Sequence, residues 1–187
     1  MITVRTVLLC GREVLPHAAA LREVYADAFG DAPWHEDDTY ADAFLSRLEG
    51  HADRPGFHAA LAFDGQRLLG FCTAWLTPAP FPGDRCYPQV AAALGPELTG
   101  SWLCGSQEID ELAVRAEARG RGLGTALLDA VTSKAPDDSS WLMTSVRAPD
   151  AVRFYRHLGW RQIVHPAPEG RGMAVFLAPR HPAIPSD

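Results

Sequence analysis

The stretch best suited to chemistry is Arg119-Gly120-Arg121-Gly122-Leu123-Gly124-Thr125. A strand-like run from Glu108 to Val114 leads into it. A helix leads out, because Leu123, Ala126, Leu127, Ala130 and Val131 fall on one face at helical spacing. The first amides of a helix have no intrahelical acceptor, and the helix dipole puts partial positive charge there. Glycines at that point let an anion reach the backbone without meeting a Cβ. Arg119 and Arg121 add full charge. These residue types in this order predict a cradle for a phosphate or pyrophosphate.

The spacing narrows the choice of anion. A Walker loop needs a lysine that is missing here. The dinucleotide fingerprint fails because Thr125 stands where its third glycine belongs. The spacing does match R/Q-x-x-G-x-G/A through Arg119, Gly122 and Gly124. With Leu112 and Val114 upstream, it resembles the acetyl-CoA-binding motif of the Gcn5-related N-acetyltransferase (GNAT) superfamily. A second stretch, Ala151-Val152-Arg153-Phe154-Tyr155-Arg156-His157-Leu158-Gly159-Trp160, resembles that family's closing motif A-x-x-x-Y-x-x-x-G-F/W. The similarity runs from about Glu108 to Val164. One position departs from the pattern: Ala148 stands where members often carry an asparagine.

The resemblance implies acetyl-CoA as cosubstrate and direct attack of a primary amine on the thioester in a ternary complex; no metal is expected, because the histidines and cysteines lack ligand spacing. It implies that the backbone of Leu112, Ala113 and Val114 pairs with the pantetheine arm. It also implies that the amides and side chains from Arg119 through Gly120, Arg121, Gly122, Leu123 and Gly124 to Thr125 hold the pyrophosphate. Such a transfer needs a neutral amine, a stabilised oxyanion and a protonated leaving thiolate. Tyr155 matches the family's tyrosine near the CoA sulfur, and a phenol with a pKa near 10 is protonated at neutral pH. Tyr155 also lies on the apolar face of its helix, where a core residue would stand. The base is left between Glu108 and Glu111, which point to opposite faces of a regular strand; a bulge would change that parity. Glu108 is slightly favoured, because the resemblance implies a glutamate base at its offset before Val114, as in the histone-acetylating members. For the acceptor, Trp34 with Glu36, Asp37 and Asp38 offers cation–π and charge contacts to a cationic amine. The Pro-rich excursion Thr77–Gly105 is the other candidate wall. Two rival readings are an acyl-CoA-binding sensor without turnover and a nucleotide-binding module.

The elements that must position these residues follow from periodicity and turn signals. Ile2 to Leu9 reads as a strand. Pro16 opens a helix with Leu21, Val24, Tyr25, Ala28 and Phe29 inside, and a second helix runs from about Asp38 to Leu48. Phe57 to Phe63 and Arg67 to Trp75 form a hairpin around Asp64-Gly65. Cys86 to Leu94 can hold a short helix inside the excursion. Gln107 to Val114 is the central strand, and Trp141 to Val146 a further one. A helix begins at Pro149 and ends at Gly159. Trp160–Val164 and Met173–Leu177 close a hairpin around His165–Gly172. The order β-α-α-β-β-β-α-β-α-β-β predicts an α/β fold: a single mixed, mostly antiparallel sheet flanked by helices, as in the GNAT fold. The 187 residues suit one domain with a frayed tail over 178–187.

Composition bounds the partners. The net charge of −6 argues against nucleic acid and favours a cationic small-molecule amine. No apolar run reaches membrane-spanning length, so no membrane partner is expected. Cys10, Cys72, Cys86 and Cys104 are widely spaced, which predicts free thiols in a reducing cytoplasm rather than a zinc or redox site. A homodimer is a possible assembly.

Overall fold

The computed structural model describes residues 4–164 and 172–185. Its strands are β1 (Val4–Cys10), β2 (His58–Asp64), β3 (Arg67–Leu76), β4 (Gln107–Val114), β5 (Ser140–Ser145), β6 (Arg161–Val164) and β7 (Met173–Leu177). Its helices are α1 (Ala18–Phe29), α2 (Asp38–Ala52), α3 (Tyr87–Leu94), α4 (Pro96–Leu98), α5 (Leu123–Thr132) and α6 (Pro149–His157). The strands form one mixed seven-stranded sheet in the order β1-β2-β3-β4-β5-β7-β6. The β1–β2, β2–β3, β5–β7 and β6–β7 ladders are antiparallel, and β4–β5 is parallel.

The chain divides into two compact units. The first comprises residues up to Trp75 with 110–134. Its core joins Leu21, Val24, Phe44 and Leu48 of α1 and α2 to Leu61, Phe71 and Trp75 of the sheet. Asp37 caps α2 by accepting the Thr39 N–H at 2.9 Å, the reason that helix starts where it does. Gly70 has a packing role: a Cβ there would stand 2.8 Å from the Ala113 carbonyl oxygen and 3.1 Å from Leu127 Cδ1. Only glycine lets β4 and α5 come this close to β3.

The second unit comprises 76–109 and the chain from Ala135 onward. The Pro-rich excursion is folded. Pro88 sits in the first turn of α3, and Gly95, at φ +84°, ends that helix. Tyr87 and Val90 of α3 pack with Leu103, Trp141, Val175 and Leu177. The Trp141 indole N–H donates to Thr77 Oγ1 at 2.7 Å, satisfying a polar group that burial would otherwise strand.

Two expectations are corrected. Pro16 does not open α1; it lies inside a 3-10 turn, Gly11–His17, and α1 begins at Ala18. That turn is stabilised by Glu13, whose carboxylate accepts the Cys10 N–H at 2.8 Å. The tail is not frayed as far as Pro185. The Ala178 N–H donates to the Ser140 carbonyl at 2.9 Å, and His181 is buried against Trp102 and Ser139. A hydrophilic, proline-rich composition concealed that anchor. The connection expected at His165–Gly172 lies, up to residue 171, outside the described residues. Among the described residues no helix is long and apolar enough to cross a membrane.

Candidate functional site

In the first unit the glycine-rich loop leads from β4 into the N-terminus of α5. Gly120 and Gly122 take left-handed backbone at φ +73° and +76°, which glycine adopts without penalty. Gly122 is the N-cap of α5 and no side chain caps it. The Ala126 N–H is bonded to the Gly122 carbonyl at 3.1 Å. The amides of Leu123, Gly124 and Thr125 precede that first helical bond and have no acceptor inside the helix. A Cβ placed on Gly120 or Gly122 would meet nothing within 4 Å. Donors, helix dipole and open space therefore coincide, which fits a pyrophosphate.

Arg119, exposed at the start of the loop, also bonds to the protein's own backbone. Its Nη2 donates to the Ala28 carbonyl at 2.9 Å and its Nε to the Val114 carbonyl at 3.3 Å. The last carbonyls of α1 need donors, and Arg119 supplies one. Arg115 does similar work, donating to the Leu68 carbonyl at 2.9 Å and to Glu23 at 3.2 Å. Asp27 accepts the Ala116 N–H at 2.8 Å. The loop between β4 and α5 is thus fastened to α1 at several points. Arg121 is exposed beside the glycines.

The same unit gathers acids around Tyr25. The Tyr25 hydroxyl donates to Glu36 Oε2 at 2.6 Å. Burial pushes the Tyr25 phenol well above its usual range, the charge of Glu111 and the hydrogen bond to Glu36 push it further, and the charge of Arg47 opposes them. Glu36 and Glu111, far apart in sequence, thereby act on one buried phenol. Trp34 meets Phe29 edge-on at 5.6 Å, and Phe29 meets Tyr25 at 4.7 Å. Asp37 is the α2 cap and Asp38 faces Arg22 at 3.5 Å, so these two acids have structural employment. Asp110 Oδ2 lies 3.8 Å from His51 Nδ1, both side chains buried. Ala113 belongs to the α1–α2 core, while Leu112 and Val114 are half-buried.

In the second unit, Glu108 is 1% exposed. Both of its carboxylate oxygens lie 2.8 Å from the Tyr87 hydroxyl, which donates to them. The parallel β4–β5 ladder carries Gln107↔Ser140, Glu108↔Trp141 and Ile109↔Leu142. Tyr155 is 8% exposed on α6 and packs against Trp160 at 6.0 Å and Phe176 at 5.8 Å. Its helix opens at Pro149 and is stopped by Gly159 at φ +81°. Tyr25 and Tyr87 are additions to the residues singled out from sequence. In the sequence Tyr25 lies on the apolar face of its helix and Tyr87 falls within the short helix of the excursion, and only an acid brought near by folding distinguishes each.

The acetyltransferase (GNAT) family model matches residues 18–160, which include the glycine-rich loop, Glu108, Glu111 and Tyr155. The chain belongs to this family. No curated protein matches. Among solved structures, it is similar to an acetyltransferase from Thermus thermophilus, with TM-score 0.57 and 19% identity over 94% of this chain and 96% of that one. It is also similar to the ribosomal-protein-S18-alanine N-acetyltransferase of Escherichia coli, with TM-score 0.58 and 15% identity over 97% and 96%. A third relative is Arabidopsis thaliana NAA60, solved with a bisubstrate analogue, with TM-score 0.58 and 16% identity over 94% and 97%. At these identities the structural likeness carries the GNAT fold, and the family match carries acetyl transfer as the class of activity.

Proposed function

We propose that the protein transfers the acetyl group of acetyl-CoA to a primary amine of a small molecule, by direct attack in a ternary complex. The observation that carries this reading is the α5 N-terminus: three amides without helical acceptors, behind two left-handed glycines, in a chain of the GNAT family. Acetyl-CoA supplies an activated thioester. The amides of Leu123, Gly124 and Thr125 hold its pyrophosphate, Arg121 adds charge at the rim, and Arg119 keeps the loop in shape. The backbone of Leu112, Ala113 and Val114 carries the pantetheine arm.

The acids divide the remaining work. Glu36 and Glu111, both acting on Tyr25, attract and hold the cationic amine, with Trp34 in the same aromatic group. Glu108 takes the amine's proton, directly or through a water, and Tyr155 gives a proton to the leaving thiolate. Glu111 is the second candidate base. No covalent acyl-enzyme is needed, because positioning the amine against the thioester supplies much of the rate.

The test is thiol release from acetyl-CoA across a panel of small-molecule amines and peptide N-termini. A small-molecule amine accelerated well beyond its uncatalysed rate supports the reading. CoA binding without turnover on any amine would leave a sensor instead. Glu108→Gln and Glu111→Gln, profiled from pH 6 to 10, separate the two bases: the essential one loses activity most at low pH, where free amine is scarcest.

A further inference from the structure

We propose that Tyr87 is a positioning residue for Glu108, its hydroxyl fixing the carboxylate in one orientation and keeping it ionised so that it can accept the amine's proton. The inference rests on the reading of Glu108 as the base. At 1% exposure Glu108 has lost almost all contact with bulk water, and burial alone drives a carboxyl toward its neutral form, which cannot act as a base. A hydrogen bond donated to the carboxylate works in the opposite direction, because the charged form accepts it more strongly. The Tyr87 hydroxyl stands at 2.8 Å from both oxygens, so it bears on the whole carboxylate rather than one end.

The phenol is itself held. Tyr87 is 1% exposed and stands at the head of α3, ahead of Pro88. Phe81 packs edge-on against its ring at 5.3 Å. Phe81 also lies 6.0 Å from Trp141, the residue paired with Glu108 across the parallel ladder. The Trp141 indole is in turn anchored on Thr77. The excursion between β3 and β4 therefore delivers a buried, packed donor to the one acid of β4 that lies in the second unit. A donor of this kind is what a buried base needs to remain charged near neutral pH.

Tyr87→Phe removes the hydroxyl and keeps the ring, and two readouts judge it. One is the titration of the Glu108 carboxyl carbon by NMR on glutamate-labelled protein, assigned by its loss in Glu108→Gln. The other is the ascending limb of kcat/KM against pH with the best amine from the panel. The expected result is that both move upward by about one pH unit or more, with activity lost at low pH and regained above it. If the carboxyl titration does not move, Tyr87 does not govern Glu108 and the proposal falls, even where Glu108→Gln shows Glu108 to be the base. If the titration moves while the activity profile stays in place, the base reading of Glu108 has failed and takes the proposal with it. Should Tyr87→Phe not fold, 3,5-difluorotyrosine at position 87 retains the packing and donates more strongly. It should move both readouts downward, and no movement would overturn the proposal.

Discussion

Gly124 and Tyr155 are the residues whose replacement separates binding from chemistry. Gly124 lies in the first turn of α5, behind the left-handed Gly122, and is not itself at positive φ. Valine there can keep helical backbone and adds bulk beside the amides of Leu123, Gly124 and Thr125, where the proposed anion would sit. Gly124→Val is expected to weaken CoA binding roughly tenfold or more by calorimetry. Unchanged affinity in the folded variant would exclude the cradle. Tyr155→Phe has the opposite signature. Its ring contacts with Trp160 and Phe176 survive the change, so folding and CoA affinity should hold. If the hydroxyl protonates the thiolate, kcat should fall by ~10²-fold or more. Turnover at the parent rate, measured where chemistry is limiting, would return Tyr155 to the core.

At the scale of elements, the segment after β7 carries a pH dependence that can be read from one side chain. His181 Nε2 is 2.9 Å from the Trp102 carbonyl, and its Nδ1 accepts the Ala183 N–H at 3.1 Å. Nδ1 can accept only while the ring is neutral, with its proton on Nε2. Burial holds the imidazole below its usual value of 6.5, and the bond to Trp102 offsets this only in part. A lowered folded value means that the unfolded state binds the proton more readily. The contribution of His181 is therefore complete above about pH 6.5 and is lost as pH falls through the folded value. Hydrogen exchange at Ala178 and Ala183, corrected for the intrinsic pH effect, should show protection at pH 7.5 that fades by pH 5. The ion pair of Asp138 with Arg180, at 2.7 Å, ties down the same segment, and a His181→Asn variant separates the two contributions. That variant should lose the step between those two pH values. Equal protection at both pH values in the parent would sink the assignment.

At the scale of the molecule, charge is the property that acts at a distance. The chain carries a net −6, and two of its acids, Glu36 and Glu111, bear on the same buried phenol. Attraction of a cationic amine by such a surface is screened over about 8 Å at physiological salt. The value of kcat/KM for an amine cationic at the assay pH should fall as salt rises from 20 to 300 mM by roughly severalfold, through on-rate. An amine that is neutral at that pH should show little change. The same salt slope for both would remove long-range charge from the account of acceptor choice.

The local sequence alone determined the strands, their order, the longer helices and the glycine-rich turn, while the 3-10 turn Gly11–His17 and the short α4 were not legible in it. The core faces of α1, α2 and α5 recur at helical spacing, the strands alternate or run apolar, and glycines mark helix ends. Each of these signals sits within a few contiguous residues, because backbone conformation is decided largely by a residue and its neighbours. β4 and β7 have the expected bounds, and Leu123, Leu127 and Val131 of the face expected on α5 are buried. The resemblance that placed the chain in its family was legible for the same reason, since its motifs are contiguous. What only the tertiary structure decided is which groups each side chain meets. Arg119 is spent on a carbonyl 91 residues away, Glu108 is met by a phenol 21 residues earlier, and the tail is held by a histidine against Trp102. Charge and hydrogen-bonding capacity are visible in a residue's type, but partners are set by how the elements pack. Arg119 is a case: its charge is visible in the sequence, but the Ala28 and Val114 carbonyls that it meets are not.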